Sequence, residues 1–275
     1  MELFRKIAIV GVGLIGGSIG LAVKKRKLAD EVIGIGHRQE SVTRALKVEA
    51  IDEGTLDISK ISDADLVVLA APVTEILNIL PELNKFVKKD GLIIDVGSTK
   101  LEITRLAKKS GLNFIGCHPL AGTEKKGPQN AKAGLFKDSL CVITPSAEVK
   151  KENLKKIEIF WQALGAKPKV LDAATHDRII AFTSHLPHIV VFSLINCIKG
   201  PYLKFAAGGL KDTTRIGQSD PLLWRDIFLT NRKELLKAIK DFKKSLNRLE
   251  ALVYKNQPNK LESYLKEARD KRNGF

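Results

Sequence analysis

Six residues constrain this chain more than any others. Gly11-Val12-Gly13-Leu14-Ile15-Gly16 directly follows the apolar run Lys6-Ile7-Ala8-Ile9-Val10. A short apolar run bounded by glycine reads as a buried strand. The spacing from Leu14 to Lys27 is helical and ends in a Lys/Arg cluster, which suits a helix C-terminus. A G-x-G-x-x-G turn between strand and helix has a physical use. Its glycines allow a tight turn, close approach of backbone to a pyrophosphate, and helix–strand contact. The helix start at Leu14, Ile15 and Gly16 offers free N–H groups and positive potential to phosphates. A glycine-rich turn without a ligand is the alternative; the strand before and the helix after favour the dinucleotide.

The pattern continues as alternating strands and helices. Glu31–Gly36, Leu66–Ala70, Gly91–Val96 and Asn113–Gly116 read as strands. Ser41–Val48, Thr74–Phe86 and Thr99–Ser110 between them read as helices. This order predicts a Rossmann-type α/β domain with a parallel, doubly wound sheet. Leu140–Thr144 and Lys169–Leu171 are further strands, flanking a helix over Lys150–Leu164. After Asp172 only helical patterns follow: Ala173–Lys199, Tyr202–Gly209, Pro221–Tyr254 and Asn259–Arg272. The expected division is a dinucleotide-binding domain over 1–170 and an all-α domain over 171–275 for substrate binding and dimerisation.

The end of the second strand chooses the cofactor. An Asp or Glu there bonds the ribose 2′-OH of NAD. This chain reads Gly36-His37-Arg38 instead, and an arginine can pair with a 2′-phosphate, so NADP is favoured over NAD. Ligands bind beyond the carboxyl ends of the strands in such sheets. Ala71-Pro72, Ser98-Thr99 and His118-Pro119 stand there. Ala71 and Pro72 are expected to line the cofactor site. Thr99 and Glu102 have the spacing of a capping box, and Ser98, one residue earlier, could face the crevice. A histidine such as His118 beside a nicotinamide could take a hydroxyl proton as hydride leaves the same carbon; a structural histidine is the alternative.

The net charge of +15 raises the question of nucleic acid. The basic residues are scattered in short groups, however, and only 6% of residues are aromatic, with none interleaved to stack bases. Nucleic acid is therefore not expected as a partner. No stretch of about 18 uninterrupted apolar residues is present, so no membrane span is expected. The start, Met1 to Lys6, lacks the layout of a signal peptide. Three well-separated cysteines fit a reducing cytoplasm and argue against a thiolate metal site.

These pieces together resemble prephenate dehydrogenases and their arogenate and cyclohexadienyl relatives. The resemblance rests on Val10–Ser18, Asp95-Val96-Gly97-Ser98-Thr99-Lys100 and His118-Pro119-Leu120-Ala121-Gly122-Thr123-Glu124. In the helical half it rests on Ser184-His185-Leu186-Pro187-His188, Thr213-Thr214-Arg215-Ile216 and Ser219–Asp226. It implies oxidative decarboxylation of prephenate to 4-hydroxyphenylpyruvate, with hydride passing to NAD(P). His118 would then accept the ring hydroxyl proton and Ser98 would bond the same hydroxyl. Arg215 would pair with a substrate carboxylate, and His188 and Thr123 would line the substrate pocket. A homodimer through the helical half is implied as well. Arogenate as substrate, a β-hydroxyacid-type dehydrogenase and a non-catalytic NAD(P)-binding regulator are the alternatives.

Three histidines of the helical half, His176, His185 and His188, lack acidic or Cys partners at metal-ligand spacing, so no metal is expected. Pro187 inside a helical pattern predicts a kink that aims His185 or His188 into the cleft. Arg215 could instead form a surface salt bridge to Asp212 or Asp220. Asp220-Pro221 reads as an N-cap followed by proline at the first helical position.

Overall fold

The structure is a computed structural model and describes residues 2–122 and 125–274. Strand β1 (Phe4–Val10) leads into α1 (Leu14–Arg26), β2 (Ala29–Ile35), α2 (Gln39–Lys47) and the short β3 (Glu53–Thr55). Next come β4 (Leu66–Leu69), α3 (Val73–Ile79), β5 (Leu92–Asp95), α4 (Leu101–Lys109) and β6 (Phe114–Pro119). The sheet ends with β7 (Leu140–Pro145), α5 (Lys151–Ala163) and β8 (Lys167–Val170). One sheet runs in the order β3-β2-β1-β4-β5-β6-β7-β8.

Strand alternation sorts the core into two layers. Ile7 and Ile9 pack with Ile19, Val23, Val42, Phe160 and Trp161 on the side of α1, α2 and α5. Ala8 and Val10 pack with Ile76, Leu80, Ile103 and Ala107 on the side of α3 and α4. Both faces are thus covered, which is why the strands read as continuous apolar runs. Fully burying each large aliphatic side chain contributes roughly 1.5–3 kcal/mol. The order reverses between β1 and β4, which opens a crevice at their carboxyl ends.

The sheet is not wholly parallel. β7 pairs antiparallel with β6, with His118 opposite Val142. In the connection 120–139 the one regular element among the described residues is a 3₁₀ turn, Pro128–Asn130. The chain stays at the carboxyl edge and packs on α1: Lys132 N–H donates to Ser18 Oγ at 3.0 Å, and Arg26 to the Ala133 carbonyl at 3.2 Å. A segment that does not cross to the other end of the sheet re-enters from the end it left, so the next strand runs antiparallel.

The helical half opens with α6 (Ala173–Ile180), a π turn (Ala181–His185) and α7 (Leu186–Cys197), which form one helix of 25 residues. A 3₁₀ segment (Gly200–Phe205), α8 (Gly208–Thr214), a 3₁₀ turn (Arg215–Gln218), α9 (Pro221–Thr230), α10 (Arg232–Tyr254) and α11 (Pro258–Asn273) follow. Asp220 caps α9 as expected, accepting from Leu222 N–H at 2.7 Å. Pro187 has no N–H to bond the preceding turn. The chain meets this with the π turn immediately before it rather than with a break. The pattern expected as one helix over Pro221–Tyr254 is interrupted at Asn231, whose side chain turns inward.

By length and composition the helix Ala173–Cys197 could cross a membrane, although no uninterrupted apolar run signals it. Three of its polar residues, His176, Asp177 and His185, are buried against other parts of the chain, and Arg178 is exposed.

Candidate active site

The glycine turn shapes an anion cradle. Gly11 has φ +101°, and a Cβ there would lie 2.6 Å from the Ala70 carbonyl oxygen at the end of β4. Gly13 differs: a Cβ there would meet nothing within 4 Å. That space lies before the N-terminus of α1, which has no side-chain cap. The first helical bond runs from Gly17 N–H to the Gly13 carbonyl at 2.9 Å. The N–H groups of Leu14, Ile15 and Gly16 are therefore left for an outside acceptor. An open approach, free donors and a helix dipole fit the pyrophosphate of a dinucleotide. Half-buried Ala71 and exposed Pro72 follow β4 beside it, and exposed His37 and Arg38 follow β2.

Gly13→Ala is expected to leave stability near wild type and to weaken NAD(P) binding. Gly16→Ala should destabilise the fold itself, because its Cβ would fall 2.1 Å from the Gly11 carbonyl oxygen. Thermal melts and cofactor titration separate the two. Equal loss of stability in both variants would contradict the open cradle.

At the end of β6, His118 meets a chain of hydrogen bonds from the helical half. Its Nδ1 lies 2.8 Å from His176 Nε2, and His176 Nδ1 lies 2.8 Å from Asp177 Oδ1. The Asp177 carboxylate also accepts Lys100 N–H at 2.8 Å and Leu101 N–H at 3.0 Å. A carboxylate only accepts, so His176 carries its proton on Nδ1 and presents a lone pair at Nε2. His118 must then donate from Nδ1. Burial, with His176, Lys100 and His185 nearby, holds the His118 pKa well below 6.5. A neutral ring with a protonated Nδ1 has its lone pair on Nε2. The network thus prepares Nε2 as a proton acceptor, and Nε2 has no partner among the described residues.

The capping box expected from Thr99 and Glu102 does not form. The N-terminus of α4 is capped by Asp177 from the other half of the chain. Thr99 Oγ1 instead donates to Thr230 Oγ1 at 3.0 Å, and Thr74 Oγ1 to Asp226 Oδ2 at 2.8 Å. Ser98, half-buried between these contacts, makes no side-chain hydrogen bond among the described residues. Its hydroxyl remains available to a ligand.

Beneath this edge, Lys100 and Asp95 form a fully buried ion pair. Asp95 also accepts Gly97 N–H at 2.8 Å and Cys117 N–H at 3.3 Å. It thereby ties the segment bearing Ser98 to the strand bearing His118. Gly116 makes room for the lysine: a Cβ there would lie 3.2 Å from Lys100 Cδ. Burial pushes the Asp95 carboxyl up, and the lysine and the two N–H donors oppose that shift.

His188 stacks on Trp224, with ring centroids 3.4 Å apart, and its Nδ1–H donates to the Ser184 carbonyl at 3.0 Å. Arg215 is exposed and forms neither of the salt bridges that stood as the alternative to a substrate role: Asp220 pairs with Lys126, and Asp212 has no ion pair with Arg215. The contacts of the structure do not join Arg215 to His118. Thr123, expected to contact substrate, lies outside the described residues. His176 and Asp177 carry more of the site than the sequence reading assigned to them. Their adjacency, one turn after the Asp172 cap of the helix, was the available signal.

Comparison with known families assigns both halves. Residues 19–170 match the nucleotide-binding domain of prephenate dehydrogenase, and residues 172–267 match its dimerization domain. The chain belongs to the prephenate dehydrogenase family. Like its relatives, this prephenate dehydrogenase family member is an NAD(P)-dependent oxidoreductase. It is 35% identical to a Bacillus subtilis prephenate dehydrogenase, over 98% of this chain and 76% of that protein. Among solved structures it resembles prephenate dehydrogenase from A. aeolicus in complex with hydroxyphenyl propionate and NAD+ (TM-score 0.94, 35% identity, 98% of each chain covered). It also resembles Synechocystis arogenate dehydrogenase (TM-score 0.87, 30% identity, covering 98% of this chain and 99% of that one).

Proposed function

We propose that His118 is the general base of an oxidative decarboxylation that converts prephenate to 4-hydroxyphenylpyruvate, a step toward tyrosine. The observation that carries this is the Asp177–His176–His118 chain ending in an unpaired Nε2 at the end of β6, on the same carboxyl edge of the sheet as the glycine cradle. Bound NAD(P) supplies the hydride acceptor. As hydride leaves the hydroxyl-bearing ring carbon, His118 Nε2 takes the hydroxyl proton, and His176 and Asp177 stabilise the imidazolium that forms. The carboxylate opposite leaves as carbon dioxide, the ring becomes aromatic, and the product oxygen takes a proton back. Ser98 holds the same hydroxyl. Arg215 pairs with a substrate carboxylate, for which its forked donors are suited. His188, backed by Trp224, lines the pocket, and Thr123 belongs to the same substrate set.

The test is absorbance of the reduced nicotinamide with prephenate or arogenate and NAD or NADP. Turnover of prephenate is expected. Turnover of arogenate alone would move the assignment to that substrate, and no turnover in any pairing would overturn the reading. The absence of an acid after β2 and the presence of Arg38 support NADP as the preferred cofactor. Arg38→Glu is expected to shift the ratio of kcat/KM values toward NAD by roughly 10- to 100-fold. An unchanged ratio would remove Arg38 from cofactor choice.

The homodimer is supported by the dimerization-domain match and by exposed Ile179, Phe182, Leu222, Leu223 and Leu229 in the helical half. Sedimentation is expected to give twice the chain mass; a monomer at working concentration would exclude it.

A further inference from the structure

His185 takes no part in the proton path from His118 to Asp177, yet it is 1% exposed and lies in the π turn. Asn231 fixes its tautomer. The Asn231 side-chain nitrogen donates to the Asp177 carbonyl at 2.8 Å, and a carbonyl only accepts, so this atom is the amide nitrogen. The same nitrogen lies 3.2 Å from His185 Nδ1, which must accept its second proton. Burial holds the His185 pKa down at about 4, so the ring is neutral at pH 7. A neutral imidazole with an accepting Nδ1 carries its proton on Nε2. That Nε2–H is buried and has no partner among the described residues. An unpaired buried donor is unfavourable and points to a missing acceptor.

The surroundings place this donor at the cleft. His185 is tied through the Asn231 amide to Asp177, the acid end of the chain that reaches His118. Its ring stands edge-on to Trp224 at 6.1 Å, and Trp224 stacks on His188. The π turn that accommodates Pro187 also sets His185 into this position; such turns recur at functional sites.

We propose that His185 is a substrate-binding residue whose Nε2–H donates to an oxygen of the bound substrate, between His118 and the wall formed by His188 and Trp224. The assignment rests on the dehydrogenase reading of this cleft. A neutral donor suits the place. It bonds an anionic substrate without adding a positive charge that would weaken the neighbouring base.

The test uses full-length enzyme with prephenate and two variants. His185→Asn keeps an oxygen near Nδ1 for Asn231 and removes the outer donor. His185→Gln keeps an N–H near Nε2. His185→Asn is expected to lose roughly 10- to 100-fold in kcat/KM with NAD(P) affinity unchanged, and His185→Gln to recover part of that. A loss carried by KM marks a carboxylate oxygen as the acceptor; a loss carried by kcat marks the reacting oxygen. Wild-type kcat/KM in His185→Asn overturns the proposal, as does an equal loss in both variants with a lowered melting temperature. A second readout needs no turnover: the His185 Nε2–H proton resonance should move on saturation with 4-hydroxyphenylpyruvate. A resonance that stays in place overturns the proposal. A resonance that moves in an enzyme inactive on prephenate supports the donor and sinks the reaction.

Discussion

Replacing His118 with Asn is expected to lower kcat by roughly 10²–10⁴-fold, the usual contribution of a positioned general base. Cofactor affinity should be unchanged, because the cradle at Gly11–Gly16 is formed by the turn after β1 and the start of α1, away from β6. Asn can still donate toward His176, so the fold keeps its contact while the accepting nitrogen is lost. The wild-type pH profile adds an independent check. Burial lowers the His118 pKa well below 6.5. The base works unprotonated, so a lower pKa keeps it competent to more acidic pH. The acid limb of kcat/KM is therefore expected well below pH 6.5. A limb at or above 6.5, or an Asn variant with wild-type kcat, would remove His118 from the role of base.

Lys100→Met is expected to be the most destabilising single change considered, by about 3–5 kcal/mol, because it leaves the Asp95 carboxylate buried without its counter-charge. Adding Asp95→Asn should recover most of that loss. Asn is neutral and still offers an oxygen to Gly97 N–H, the nearer of the two backbone donors. Urea unfolding of wild type, single and double variants measures this, with m compared to show that the unfolding transition is of one kind. A single variant as stable as wild type would mean that the pair does not hold the edge. Activity should follow stability here, since Asp95 links the backbone next to Ser98 with the backbone next to His118.

The nucleotide half was legible because its signals are local. A strand, three glycines and a helix within Phe4–Arg26 declare the cradle from spacing alone. The direction of β7 was not legible, because it depends on where the connection 120–139 lies in space. The same limit explains Thr99 and Glu102. Their spacing satisfies a local rule, but a carboxylate 77 positions beyond Lys100 takes the backbone donors of α4 instead. β3 was missed because three residues, Glu53–Thr55, carry too little alternation to register. His118, Ser98 and His188 were singled out in the sequence by residue type and position. What sets the tautomers of His118 and His185, the chain through His176 and Asp177 and the Asn231 amide, comes from tertiary contact, and no motif encodes it.

The Asp177 carboxylate accepts from His176 on its own helix and from two backbone amides of the nucleotide half. The two halves are therefore not interchangeable parts. A chimera that grafted another helical half onto residues 1–171 would keep the glycine cradle and bind the dinucleotide. Without an acid at that position, though, α4 would lose its cap and the imidazole of His118 would be free to turn its proton toward the substrate. Such a hybrid would hold its cofactor and stand idle. Anyone recombining enzymes of this architecture has to carry the first turn of α6 along with the segment after β5, as one inherited unit.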